Sequence, residues 1–256
     1  MIRLPALLPL LLLTAQARPG DKPVLVPDVS QRSVRILYSF TGAELLLFGA
    51  IVYPRGRPIG PDKRVDIVVV VKGPTQSVLV REKERFAGIW INAERLRYRS
   101  APSFYAIASS RPIEQLVDER TRAIYELGLD SLQLSPASSA PSEQQAHFQR
   151  GLVALKQRTG LYFADPEAVE ITDNVLYRAR LLIPARVPVG RFTAETFLIR
   201  DGRVLAAAVR PIDIQKAGFE RFVARAAERS SVLYGLTVVA LSLVLGWAAA
   251  WAARRL

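Results

Sequence analysis

The chain has 256 residues, a formal net charge of +12 at pH 7, no cysteine and a single histidine, His147. Without cysteine it can form neither disulfides nor thiolate metal sites, and one histidine excludes zinc or copper sites built from several imidazoles. A strong positive charge is typical of proteins that contact anionic membranes or acidic partners.

No catalytic motif accompanies this composition. The nucleophile elbow G-x-S-x-G, the S-x-x-K pair, the P-loop and the dinucleotide motif G-x-G-x-x-G are all absent. His147 lies in a polar helical pattern without a nucleophile motif beside it, and the scattered carboxylates offer no distinguishable acid–base pair. The sequence therefore predicts a non-enzymatic protein with no catalytic residue, no cofactor and no metal.

Residues 1–17 have the features of a secretory signal peptide. Arg3 precedes a short apolar stretch, residues 4–13, and residues 14–17 (TAQA) provide a small-residue cleavage site. We therefore expect residues 18–230 to form a periplasmic domain, where contact with nucleic acid is not expected. An uncleaved N-terminal anchor is the alternative, because a single arginine is a short positive region for a signal peptide.

The first half of the exported part has a β pattern. Residues 33–40 alternate between apolar and polar, and residues 44–53 are nearly all apolar, with Gly49 inside them, which predicts a bulge or a close backbone approach. Further strands are predicted at residues 65–72, 77–81, 89–91 and 104–108, with a charged turn at residues 82–85. Short strands without intervening helices favour an antiparallel sandwich.

A helical insertion is predicted at about residues 112–160. Residues 112–127 and 143–158 are amphipathic, and a Ser/Pro/Ala linker separates them. Strands then resume between residues 168 and 214, with Asp201-Gly202 as a hairpin turn. This order permits one sandwich with an insertion or two small domains. The last hairpin resembles the closing strands of immunoglobulin-like modules, so the predicted fold is mainly β: an antiparallel immunoglobulin-like β-sandwich with a helical insertion.

A membrane anchor is predicted near the C-terminus. Residues 231–253 contain no charge, and as a helix they would rise roughly 34 Å, enough to cross the hydrocarbon core. The preceding residues 216–230 predict a basic juxtamembrane helix, and four of its basic residues are candidates for contact with anionic lipid: Lys216, Arg221, Arg225 and Arg229.

The orientation of this anchor follows from the signal peptide. Residues 254–256 would form a cytoplasmic tail, which predicts a single-pass inner-membrane protein whose bulk is periplasmic. The four basic residues before the anchor, against Arg254 and Arg255 after it, favour the opposite orientation. Long domains are translocated largely regardless of their charge, so the signal peptide decides.

Two groups of residues are candidates for contact with another protein. In the anchor, Ser242, Gly246 and Ala250 follow a small-xxx-small spacing that permits close helix packing in the membrane. In residues 86–112, aromatic side chains alternate with arginines, a composition that interfaces favour. The candidate contacts there are Trp90, Asn92, Arg97 and Tyr105. The alternative is that Trp90 and Phe104 belong to the core and that the arginines form an exposed edge.

Several segments resemble an uncharacterised alphaproteobacterial family of transmembrane proteins. They are DIVVVVKGP (66–74), GIWIN (88–92), PSFYAIASSRP (102–112), IPARVPVGRF (183–192), KAGFERF (216–222), LYGL (233–236) and GW (246–247). The resemblance implies an inner-membrane protein with a signal peptide, a periplasmic domain, one C-terminal span and no assigned activity. Genes of this family often lie near genes for sulfite-exporter-like permeases. The resemblance therefore implies that the protein is an accessory subunit.

Three hypotheses about function follow. The first is a non-enzymatic, membrane-anchored module that assists another inner-membrane protein. The second is a periplasmic ligand-binding protein or enzyme that uses the Trp90–Tyr105 region. The third is a structural tether of the cell envelope that binds peptidoglycan or anionic lipid.

Overall fold

The computed structural model describes residues 23–30, 33–36, 42–54, 64–137, 139–216, 227–228 and 230–254. The predicted signal peptide lies outside these residues. So do Arg221, Arg225 and Arg229 of the predicted juxtamembrane helix. Lys216, predicted to belong to that helix, is instead the last residue of a strand.

The described residues form thirteen strands and four helices. The strands are β1 (Val24–Val29), β2 (Ser33–Ile36), β3 (Ala43–Val52), β4 (Asp66–Lys72), β5 (Thr75–Phe86), β6 (Ile89–Pro102), β7 (Tyr105–Ser109), β8 (Ser135–Pro136), β9 (Tyr162–Pro166), β10 (Val169–Thr172), β11 (Leu176–Ile183), β12 (Gly190–Arg200) and β13 (Arg203–Lys216). The helices are α1 (Ile113–Leu116), α2 (Glu119–Tyr125), α3 (Ser142–Arg158) and α4 (Ser231–Ala253).

Two sheets form a sandwich. One has four strands in the order β1-β3-β11-β10, and the other has six in the order β2-β13-β12-β4-β7-β9. Strand β11 buries every second side chain, from Tyr177 to Ile183, because only one of its faces meets the other sheet. The prediction of a mainly β protein is confirmed, and strands from before and after the helical segment pair in both sheets.

The helical segment adds a third layer over the six-stranded sheet. Ile67, Val69 and Val71 of β4 point into the sandwich, whereas Val68 and Val70 pack against side chains of the helical segment such as Leu116. Burial of both faces explains why β4 is a continuous apolar run rather than an alternating one.

The prediction of an antiparallel immunoglobulin-like sandwich needs correction. Strand β2 pairs parallel with β13, and β9 pairs parallel with β7. Strand β9 was not predicted, because its sequence YFADP lacks an apolar alternation and ends in proline. A third sheet, in the order β5-β6-β8, has no counterpart in the predicted architecture.

The helix predicted over residues 112–127 is broken into α1 and α2. Val117 is extended, with φ −147° and ψ 154°. The Asp118 side chain then caps α2 by accepting a hydrogen bond of 2.9 Å from the backbone N–H of Thr121. An N-cap inside an amphipathic pattern therefore starts a second helix. The predicted hairpin turn at Asp201-Gly202 is confirmed, since both residues have positive φ, 50° and 74°.

Helix α4 coincides in its bounds with the predicted membrane anchor, residues 231–253. Among the residues that the structure describes, however, no helix combines the length and the apolar character required to cross a membrane. The side chains of Leu233, Ala249 and Ala252 lie outside that described part. The predicted transmembrane span is therefore not confirmed.

Candidate functional site

The longest strands of the third sheet, β5 and β6, form a hairpin that contains most of the candidate contact residues. Their connection is the two-residue turn Ala87-Gly88, in which both residues have positive φ, 48° and 84°. Such a turn matches the right-handed twist of the paired strands. The charged turn predicted at residues 82–85 is therefore wrong, since these residues continue β5 up to Phe86.

The outer part of this hairpin, residues 81–95, is exposed along its whole length, and we call it the arm. From Arg81 to Phe86 a strand of this kind extends about 17 Å. Near the turn, four large apolar side chains are exposed to solvent. Their exposed fractions are 70% for Phe86, 69% for Ile89, 65% for Trp90 and 43% for Ile91.

The base of the hairpin is fixed to helix α3. Leu96 and Tyr98 of β6 are buried against Phe148 and Leu152 of the helix. The Tyr98 hydroxyl also donates a hydrogen bond of 3.2 Å to the backbone oxygen of Gln145. The arm is therefore an extension of a well-packed base.

Two irregularities bend the hairpin. Strand β6 has 14 residues against 12 in β5, and the pairing register shifts twice, between Gln76 and Val78 and between Arg81 and Lys83. Each shift places one extra residue in β6, which is the arrangement of a β-bulge. Bulges increase the local twist, so the arm does not simply continue the plane of the base.

The inner face of the arm is the one that continues toward α3. Glu82 lies 3.2 Å from Nε2 of His147, and the side-chain amide of Gln144 donates a hydrogen bond of 2.8 Å to Glu94. Glu84 lies two residues beyond Glu82 and therefore on the same face. His147, predicted to be a helix-surface residue, is indeed exposed and forms this contact.

The outer face carries the predicted contact residues of the hairpin. Because cross-strand partners point to the same side of a sheet, Trp90 lies beside Arg85, and Asn92 lies beside Lys83. Arg97 lies further along the same face, opposite Leu79. Trp90, Asn92 and Arg97 are all exposed. The structure therefore brings these three residues onto one surface.

Tyr105 does not belong to that surface, which corrects its prediction as a contact residue. It is fully buried in β7, and its hydroxyl donates a 2.6 Å hydrogen bond to the Glu126 backbone oxygen and accepts one of 3.1 Å from the Gly128 N–H. Burial raises the pKa of Tyr105. Strand β6 covers about 40 Å from Trp90 to its last residue, Pro102, and Tyr105 follows only three residues later. Trp90 and Tyr105 are therefore too far apart to share one ligand site.

The small residues of α4 also share one face. Ser242, Gly246 and Ala250 recur every four residues and are exposed, and a Cβ atom built at Gly246 meets no atom within 4 Å. The Ser242 hydroxyl donates a hydrogen bond of 2.9 Å to the Val238 backbone oxygen, which satisfies it within the helix. This face is shallow and open to another helix.

Comparison with known proteins identifies the family. A family model named Alph_Pro_TM, described as "Putative transmembrane protein", matches residues 24–255. The chain belongs to this family. No curated protein matches it.

One solved structure resembling the chain is the sporulation control protein Spo0M of Bacillus subtilis, with 9% sequence identity and a TM-score of 0.32. The alignment covers 81% of this chain, which spans about half (55%) of the length of Spo0M. A similarity at this level supports no argument about the fold or the function.

Two polar clusters of this Alph_Pro_TM member hold its strands together. In one, Lys72 contacts Glu126 at 2.8 Å and Glu195 at 3.2 Å. Burial acts to lower the pKa of Lys72, but the hydrogen bonds and charges of the two carboxylates outweigh burial and raise it. These contacts link β4 to the end of α2 and to β12.

In the second cluster, the buried Asp66 accepts hydrogen bonds from the Arg111 guanidinium, at 2.9 and 2.5 Å, and from the Ser110 hydroxyl, at 2.9 Å. These contacts join the start of β4 to the residues that follow β7. Among the described residues, no group of three or more histidines, cysteines or carboxylates could hold a metal ion.

Proposed function

We propose that this chain is a non-catalytic, membrane-anchored periplasmic module that assists another inner-membrane protein. Membership of a family described as transmembrane supports the membrane location. A sulfite-exporter-like permease is the first candidate partner, on the basis of the family resemblance. The β-sandwich would be the exported part, α4 would be the anchor, and Arg254 and Arg255 would remain in the cytoplasm.

The exposed apolar surface of α4 is the observation that carries this proposal. Its 23 residues contain no charged side chain, and large apolar side chains are exposed all around it: Val232, Leu236, Val238, Val239, Leu241, Leu243, Val244, Leu245, Trp247 and Trp251. A helix that is apolar on every side requires apolar surroundings. The proposal rests on the sequence of all 23 residues, 231–253. The described residues alone contain no helix that is long and apolar enough to cross a membrane.

The small-residue face of α4 supports a contact with another membrane helix. Without side chains larger than a hydroxymethyl group at positions 242, 246 and 250, a second backbone can approach closely, and van der Waals packing then stabilises the pair. A ligand-binding or enzymatic role for the Trp90–Tyr105 region has no comparable support, because Trp90 is at the exposed end of the hairpin and Tyr105 is in the core.

The test is crosslinking of the tagged full-length protein in membranes, followed by gentle solubilisation, affinity purification and mass spectrometry. We expect a stoichiometric membrane protein to copurify. Ser242→Leu with Gly246→Leu should remove it, because two larger side chains would block the close approach of the helices.

Ala240→Leu with Val244→Leu is the matched control, since it enlarges two residues on the opposite face of α4. The control should retain the partner, and both variants should remain in the membrane fraction. An unchanged set of copurified proteins in the Ser242/Gly246 variant would contradict helix packing as the basis of the interaction.

A further inference from the structure

The outer face of the hairpin carries only positive charges. Arg81, Lys83 and Arg85 alternate along β5, so their side chains share this face. The register adds Arg95 opposite Arg81 and Arg97 opposite Leu79. The glutamates of the arm (Glu82, Glu84 and Glu94) lie on the inner face or at the bulge. The hairpin therefore separates its charges by face.

These five cations are not neutralised within the described part of the chain, where none of them forms an ion pair. Arg81 directly opposes Arg95, and like charges at cross-strand positions destabilise a hairpin. An anionic surface against this face would turn that repulsion into attraction. The arrangement therefore indicates an external partner with several negative charges.

The end of the arm indicates what kind of anionic partner this is. Phe86, Ile89 and Ile91 point to the inner face, whereas Trp90 points to the outer face. All four are exposed, so the end of the arm is apolar on both sides. A flat protein or nucleic-acid surface would cover only one side, but immersion in the interface of a bilayer covers both. Tryptophan is enriched at that interface.

We propose that the arm docks on a bilayer rich in anionic phospholipid. Phe86, Ile89, Trp90 and Ile91 enter the boundary between headgroups and acyl chains, and the cations of the outer face lie against lipid phosphates. An anionic bilayer accounts for both features of the arm: its phosphates match the basic outer face, and its acyl chains match the apolar end. This contact goes beyond the proposed function, which assigns membrane attachment to α4.

The sequence provides its own reporter for this contact. The chain has three tryptophans, and two of them, Trp247 and Trp251, lie in α4. Replacing both with phenylalanine leaves Trp90 as the only tryptophan of an otherwise full-length protein. Reconstituted in vesicles of equal parts phosphatidylglycerol and phosphatidylcholine, Trp90 should emit at shorter wavelength than in detergent. Brominated lipids should quench its fluorescence, and aqueous iodide should not.

The charge dependence separates this contact from simple burial of Trp90. Both signals should be lost in vesicles of phosphatidylcholine alone. They should weaken when salt is raised from about 0.1 M to about 1 M, which shortens the Debye length from about 10 Å to about 3 Å. Combining Arg81→Gln, Arg85→Gln and Arg95→Gln should remove them in anionic vesicles as well. The matched control, Arg120→Gln with Arg186→Gln and Arg203→Gln, removes three exposed arginines elsewhere and should leave them intact.

Either of two results would overturn the proposal. In the first, iodide quenches the fluorescence of Trp90 in anionic vesicles and brominated lipid does not. The arm would then bind a protein partner instead of the bilayer. In the second, the signals appear equally with phosphatidylcholine alone. A high-salt wash of the vesicles tests α4 separately, because a protein anchored by α4 remains bound to them. The result for the arm and the result for the anchor can therefore be distinguished.

Discussion

Gly49 of β3 lies where two neighbouring groups leave no room for a side chain. A Cβ atom at this position would be 2.6 Å from the Tyr177 hydroxyl oxygen and 2.6 Å from the backbone oxygen of Val26. The pairing of β3 with β1 and β11 shows no register shift there. Of the two explanations that the sequence offered for this glycine, close approach is therefore confirmed and a bulge is wrong.

Gly49→Ala should consequently destabilise the protein, by about 1–3 kcal/mol, because the added methyl group overpacks the sheet. Gly151→Ala is the matched control. A Cβ atom at Gly151, inside α3, meets nothing within 4 Å, and alanine stabilises a helix interior by about 0.5–1 kcal/mol relative to glycine. Denaturant unfolding followed by circular dichroism measures both. Equal stability of the two variants would contradict the packing described for β3.

Buried tyrosines join elements that the sequence could not place together. The Tyr105 hydroxyl connects β7 to the residues after α2, and the Tyr162 hydroxyl donates a hydrogen bond of 2.6 Å to the Pro102 backbone oxygen at the end of β6. Burial raises the pKa of both residues. In the unfolded chain a tyrosine ionises near pH 10. The neutral form is therefore the one that folding favours.

The stabilisation from these tyrosines should be complete below about pH 10 and should decrease as the pH rises above that value. Each can lower the free energy of unfolding by up to about 1.4 kcal/mol per pH unit, because the unfolded chain loses its proton first. Urea unfolding between pH 7 and pH 11 measures this dependence. Tyr162→Phe should show a shallower decrease above pH 10 and run parallel to the parent below pH 9. If the free energy of unfolding decreased equally steeply above pH 10 in Tyr162→Phe and in the parent, burial of the Tyr162 hydroxyl would be contradicted.

At the scale of elements, the sequence predicted apolar strands well and charged ones poorly. Strands β3, β4 and β11 have apolar patterns that follow from burial on one or both faces. The arm has no such pattern, because no face of it is buried, and its charged residues therefore suggested a turn. Similarly, the cap at Asp118 divides an amphipathic segment into α1 and α2, since a side-chain hydrogen bond outweighed the periodicity.

At the scale of the whole molecule, composition and patterning were sufficient for a mainly β fold, but not for its sheet order or for the arm. Arg81 and Arg95 are fourteen positions apart, and only the register of the hairpin shows that they oppose each other. Nearness in sequence likewise groups Trp90 with Tyr105, although the side chain of Trp90 is exposed and that of Tyr105 is buried. Local composition does not show the direction of a side chain without the register.

Attachment of the protein to a membrane through α4 can be tested by alkaline carbonate extraction of membranes from cells that produce the full-length chain. We expect the protein to remain in the pellet, and a variant that ends at Ser230 to appear in the soluble fraction. The variant that has glutamine in place of Arg81, Arg85 and Arg95 should also remain in the pellet, because the arm is not the anchor. Release of the full-length protein by carbonate would show that α4 does not anchor it in a membrane.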